Sequence, residues 1–302
     1  MQQTHPGEAQ LGMAAVRTAK KLLLGKEIEH MIKESGLTQA EAGATIEAGQ
    51  SRIAGLINGS GNITVGDLER MANMLGFRDP GYQATLFELR RDNHKRGFWT
   101  TGHNRAYGED MRLRVDLEKL ADRIRIVQSE VVPGLGQCEG YVRAMHEGQP
   151  GADGLTVEDR VRARLARQDI YEKDSPPDVH MVLSESCLRR EWADPAVMRE
   201  QMEYLVELSQ RPNLMIQVLP FKVPAGRRVV LGTSFTLVRV PSPGAAGHLE
   251  LAYTEGEGQI RYLDDELSLN AHDQAHARLS AAALSYEESR EFMRRVARDF
   301  GK

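Results

Sequence analysis

Two imidazoles four residues apart, His272 and His276 with Asp273 between them, have the most chemical spacing in the chain. On a helix, positions i and i+4 share one face, as in the zinc-binding H-E-x-x-H pattern. Asp273 stands where that pattern needs glutamate, and a side chain one methylene shorter holds a zinc-bound water poorly. Cys138 and Cys187 are too few for a disulfide framework and form no paired C-x-x-C. Ser184-Glu185-Ser186-Cys187 lacks the G-x-S-x-G elbow, and Gly256-x-Gly258 lacks the strand-to-helix setting of a dinucleotide site. No catalytic residue, metal or cofactor is expected, and the chain does not read as an enzyme.

The remaining chemistry is hydrogen bonding. Gln50, Ser51 and Arg52 open a short predicted helix, and glutamine can pair bidentately with N6 and N7 of adenine. The elements that position them are a run of short helices. From Val16 to Glu34 the apolar residues recur at spacings of three or four, and Gly36 suits a left-handed stop. Thr38-x-x-Glu41 is a capping box for a second helix running to about Ile46. Gly49 leads into Gln50–Ile57, which stops at Asn58-Gly59. Thr64 caps a fourth helix, with Asp67 in the box position and Leu68, Met71, Ala72 and Leu75 buried, and Gly76 ends it. Helices this short must pack on one another, and a helix, tight turn and helix inside such a bundle is a helix-turn-helix.

The segment from Leu37-Thr38-Gln39-Ala40-Glu41 through Gln50-Ser51-Arg52-Ile53 to Asn58-Gly59 resembles the helix-turn-helix of phage-repressor-like regulators, the XRE family. The resemblance implies a lambda-repressor-like, all-α five-helix domain. It implies that Gln39 contacts phosphate, Gln50 and Ser51 meet base edges, and Arg52 reaches phosphate. Asn58 and Gly59 would bring a backbone N–H near phosphate. Three positions depart from the family: Gly43 where alanine is usual, Gly55 where a longer base-contacting residue is usual, and Ile57 where glutamate is usual.

The formal net charge of −4 excludes a polybasic protein but not a compact DNA-binding module, because phosphates feel a local patch. Residues 1–100 carry 12 Lys/Arg against 11 Asp/Glu, so the acidity belongs to the remainder. Few cations must therefore be well placed. The candidates for further phosphate contacts are Lys20, Lys21, Lys26, Arg90 and Arg91, the last two in a basic cluster with Lys95 and Arg96. Phe98-Trp99 behind it reads as an aromatic pair that packs a linker.

Beyond residue 100 strands and helices mix, which predicts an α+β domain. Strands are expected at 123–127, 178–183, 214–219, 235–240 and 248–253, and a hairpin around Gly256, Gly258 and 260–263. Helices are expected at 139–147, 157–172, 195–210, 266–284 and 286–300, the last capped by Ser285.

Val132-Pro133-Gly134-Leu135, Arg164-Leu165-Ala166-Arg167-Gln168, Met198-Arg199-Glu200-Gln201-Met202, residues 213–220 and Ala281-Ala282-Ala283-Leu284-Ser285 are together similar to one actinobacterial domain. That domain follows a phage-repressor-like helix-turn-helix in a large family of antitoxin-like regulators, and is catalogued as of unknown function. Gly136 and Cys138 depart from its usual leucine and threonine. The resemblance implies a regulator with a small partner protein and no catalytic residue.

The expected layout is a flexible tail at 1–17, a helix-turn-helix domain at 18–82, a linking helix at 83–100 and a sensor or partner-binding domain at 101–302. The expected function is a sequence-specific, homodimeric transcriptional regulator of a double-stranded DNA operator, whose C-terminal domain binds a small partner protein or ligand. The alternatives are an antitoxin-like module that binds protein without DNA, and a zinc peptidase targeted by its helix-turn-helix. Met1 to Gln10 lacks the apolar stretch of a signal peptide, and no apolar run approaches a membrane span. A cytoplasmic location is expected, on the nucleoid when bound to DNA.

Overall fold

The structure is a computed structural model that describes residues 17–91, 102–148, 154–223, 229–256 and 259–301. It divides into two compact units, Met1–Asn93 with Gly244–Ala246, and His94–Pro243 with Gly247–Lys302.

The first unit is helical. Helix α1 (Ala19–Ser35) starts where the Thr18 hydroxyl accepts the Lys21 N–H at 3.2 Å, and stops at Gly36 with φ 70°. It buries Leu22, Leu23, Ile28 and Met31, as its periodicity requires. Helices α2 (Gln39–Ala44), α3 (Gln50–Ile57), α4 (Val65–Met74) and α5 (Pro80–Arg91) follow. Helix α1 packs against α3 and α5, α2 against α3, and α4 against α5. In the core the Glu27 carboxylate accepts from the Tyr82 hydroxyl at 2.8 Å and from the Ala245 and Ala246 amides at 3.0 and 3.1 Å.

Two boundaries differ from the expected ones. Helix α2 ends at Ala44 rather than Ile46, because the chain turns back and the Ala48 N–H bonds the Gly43 carbonyl at 2.9 Å. The helix placed at 83–100 as a link begins at Pro80, and its Leu86 and Leu89 are buried, so it is the fifth helix of the bundle. Lys95, Arg96, Phe98 and Trp99 lie outside the described residues, as does the tail before residue 17.

The second unit is an α+β domain. In chain order it contains α6 (Glu109–Leu120), β1 (Arg123–Gln128), α7 (Glu139–His146), α8 (Val157–Ala166) and β2 (Asp178–Ser184). There follow α9 (Glu185–Arg189), α10 (Pro195–Leu208), β3 (Leu214–Leu219), β4 (Phe235–Val240), β5 (Leu249–Gly256), β6 (Gln259–Leu263), α11 (Glu266–Ala282) and α12 (Tyr286–Asp299). The strands form one mixed sheet in the order β3-β2-β1-β4-β5-β6. β1, β2 and β3 pair in parallel, and β4, β5 and β6 continue antiparallel. The parallel pairs need crossovers, which α7 to α10 supply. On one face Val127, Val182, Leu219 and Phe235 pack under Leu279, Ala282 and Ala283 at the end of α11.

The strand positions agree with the alternation in the sequence. Helices α6 and α9 were not expected. In α6 the apolar residues Leu113, Val115 and Leu117 are buried, but charged side chains interrupt them and hide the period. The expected helix at 157–172 is two elements, because after α8 the chain tightens into a 3-10 turn at Arg167–Glu172.

Candidate nucleic-acid interface

Thr38 caps α2 with a full box. Its N–H reaches Glu41 Oε2 at 2.8 Å, its hydroxyl donates to the same oxygen at 2.7 Å, and the Glu41 N–H returns to the hydroxyl at 3.3 Å. Hydrogen bonds from the Thr38 backbone and side chain hold the Glu41 carboxyl below its ordinary range. The turn between α2 and α3 passes Glu47 at φ 57°, the one non-glycine residue with positive φ among those described, and enters α3 at Gly49.

Two glycines let the backbones meet. A Cβ on Gly43 would stand 2.4 Å from the Ala48 carbonyl oxygen and 3.2 Å from Ile53 Cγ1. A Cβ on Gly25 of α1 would stand 2.2 Å from the Ile57 carbonyl oxygen and 2.7 Å from that of Leu56, at the end of α3. Gly43 is therefore a packing requirement and not merely a weak helix former. Gly55 is different, since its nearest neighbour would be Ser60 Oγ at 3.6 Å, in open contact range.

The side chains expected to face DNA divide into groups. Gln50 and Ser51 are exposed at the first turn of α3, and Gln39 is half-buried at the start of α2. Ile53 and Leu56 are buried and anchor α3. Arg52 is exposed but pairs with Asp67 on α4 at 3.2 Å, a contact the sequence reading missed. The Asn58 and Gly59 N–H groups are turned inward, to Ala54 O at 3.0 Å and Leu56 O at 3.1 Å. The end of α3 consumes these donors for its own orphan carbonyls, which leaves the exposed Asn58 side chain as the polar group there.

Among the five further cations, Lys21 is buried, and burial lowers its pKa. It is therefore a core-edge side chain and not an open phosphate contact. Lys20 and Lys26 are half-buried. Arg90 donates from Nε to the Ile63 carbonyl at 3.0 Å and braces the loop before α4, while exposed Arg91 pairs with Glu88 at 2.7 Å. The signal for Gly25 was legible, since a glycine inside a strong helical pattern marks close packing or a cost.

In the second unit three of the five motifs, at 132–135, 164–168 and 198–202, meet around one loop. The loop Val132 to Cys138 is buried. Gln137 Nε2 donates to Val132 O at 2.7 Å, Gln168 Nε2 to Gln137 O at 2.7 Å, and Gln201 Nε2 to Gly136 O at 2.7 Å. Arg164 Nη1 reaches Gln137 Oε1 at 2.9 Å. Gly136 and Cys138 are thus core positions, with a Gly136 Cβ 3.2 Å from Leu205 Cδ2, so these departures do not present a partner surface.

Beside the loop, Arg167 forms a two-pronged pair with Glu118 at 2.9 and 2.8 Å, and Arg114 Nε reaches the same carboxylate at 3.1 Å. Burial raises the Glu118 carboxyl, but Arg167 and Arg114 outweigh it and hold it at about 2. Burial, then the nearby Arg167 and Arg114, lowers Arg164 to about 9.

The two imidazoles that suggested zinc are occupied separately. The His272 ring lies edge-on to Phe235 at 4.9 Å, while His276 lies edge-on to His180 at 4.8 Å. Asp273 pairs with Arg125. Among the described residues no group of three or more His, Cys, Asp or Glu side chains could hold a metal ion, and no helix is long and apolar enough to cross a membrane.

Comparison with known families matches residues 111–295 to the family described as "Domain of unknown function (DUF5753)". No curated protein and no solved structure matches the chain.

Proposed function

The chain belongs to the DUF5753 family, whose shared domain has no assigned function, so the functional reading rests on the N-terminal unit, and we propose that it makes this protein a sequence-specific DNA-binding transcriptional regulator. The observation that carries this is α3. Its first turn exposes Gln50 and Ser51 while Ile53 and Leu56 lock its other face into the bundle. A rigid helix that offers an amide and a hydroxyl at its N-terminal end suits base readout in the major groove. The regulator works as a homodimer on a near-palindromic operator, with half-sites about one DNA turn apart. The C-terminal domain binds a small partner protein or ligand, and that binding shifts operator affinity by favouring one arrangement of the two reading heads. It carries no catalytic residue, and its place is the cytoplasm.

Selection from a random duplex library at low salt tests the reading, because phosphate contacts weaken steeply as salt rises. Enrichment of one two-fold-related site is expected. Recovery of unselected sequence alone overturns it.

A further inference from the structure

The sheet face under α11 is apolar at one end and charged at the other. Val127 packs under the end of α11. Two and four residues back along the same face of β1 stand Arg125 and Arg123. Arg239 on β4 is the cross-strand partner of Arg123, and Glu250 on β5 is the partner of Arg239. Over these residues the first half of α11 leaves a cavity of about 240 Å³, closed by Leu269, Asn270 and Asp273. Charged side chains at helix-covered sheet positions contribute less stability than apolar ones of similar volume. Here they line a space instead of filling it.

Each guanidinium offers five N–H donors in a rigid fork. Arg123 places one on Glu250 at 3.1 Å, Arg125 one on Asp273, and Arg239 two on Asp122 at 2.9 and 3.0 Å. Further donors of Arg123 and Arg125 have no partner among the described residues. The three arginine side chains are 28–34% exposed, whereas Glu250 and Asp273 are 46% and 58% exposed. The carboxylates are the looser members of these pairs, so an incoming oxyanion can displace them. The volume is below the roughly 300–1,000 Å³ of drug-sized sites, which suits a ligand of a few heavy atoms.

We propose that this cavity binds a small metabolite through its oxyanion, a carboxylate or a phosphate monoester, held by the forks of Arg123 and Arg125, with the Arg239 charge beside them and the Asn270 amide at its rim. The site lies within the second unit and does not depend on the DNA reading.

Calorimetric titration of the full chain in a low-salt, phosphate-free buffer tests it, with inorganic phosphate and succinate as separate probes. Saturable binding of one probe per chain is expected, and the probe that binds identifies the oxyanion. Arg125→Gln should weaken it by about tenfold or more. Asn270→Glu, at an exposed α11 position, adds a competing carboxylate without removing an arginine, and should abolish binding with an unchanged melting temperature. No saturable binding of either probe, or binding that survives Asn270→Glu intact, overturns the proposal. Loss of DNA binding with oxyanion binding intact refutes the regulator reading alone.

Discussion

Replacing Gly25 by alanine sets helix propensity against packing. Gly25 lies within α1, where propensity alone makes alanine better by about 1 kcal/mol. The packing says the opposite. The new Cβ would stand 2.2 Å from the Ile57 carbonyl oxygen, and carbon–oxygen contacts settle near about 3.3 Å. The end of α3 must therefore move by about 1 Å or α1 must tilt, and overpacking of this kind costs about 1–3 kcal/mol. The expected result is a net loss of up to about 2 kcal/mol after the propensity gain of about 1 kcal/mol is set against that cost. The displaced element is α3, which the proposed function makes the base-reading helix, so on that proposal operator affinity should fall with it. Gly55→Ala is the matched control, because its Cβ meets nothing nearer than 3.6 Å, and it should stabilise α3 by about 0.5–1 kcal/mol. Native-state hydrogen exchange of the α1 and α3 amides reads both variants without interference from the second unit. If Gly25→Ala protects these amides as Gly55→Ala does, the close approach of α1 and α3 is not a constraint and the reasoning fails.

Gln50→Ala should change the base preference in the selected operator, whereas an unchanged preference in a footprint would remove Gln50 from base readout. Glu118→Gln leaves Arg167 and Arg114 buried without their shared carboxylate, and should destabilise the second unit by about 3–5 kcal/mol, followed through Trp192, which packs edge-on to Tyr141. Since the folded Glu118 carboxyl sits at about 2, its contribution is present above the unfolded carboxylate pKa near 4.3 and is lost as pH falls from there toward 2. Burial first, then His180 and Arg125, lowers His276 to about 4, so it is neutral when folded and gains a proton more readily when unfolded. Stability should fall as pH drops below about 6.5, by on the order of 2 kcal/mol at pH 5. A urea midpoint that moves with pH as much in His276→Leu as in the unaltered chain would show that another group is responsible.

The N-terminal helices were readable because their signals are local. Thr38, Glu41, Thr64 and Asn58-Gly59 act within four residues of themselves, so caps and stops appear in the sequence at their true positions. The strands were readable for a similar reason, since Ile124 and Ile126 alternate with Arg123 and Arg125 as the pleat does. Helix α6 was not, because its charged residues interrupt the apolar period and its partners are distant in the chain. Its Glu118 pairs with Arg167 and with the Tyr253 hydroxyl at 3.2 Å, 49 and 135 residues away.

For the candidate interface, the sequence alone determined which residues open the second helix of the turn, because residue type and helix start are properties of a short stretch. Tertiary structure decided what those residues are free to do. Arg52 is tied to Asp67 of α4, and Lys21 is buried. Both outcomes depend on which neighbours lie within reach once the helices pack, and the close approaches of that packing are allowed by Gly25 and Gly43, whose missing Cβ atoms carry no chemistry until the chain is folded around them.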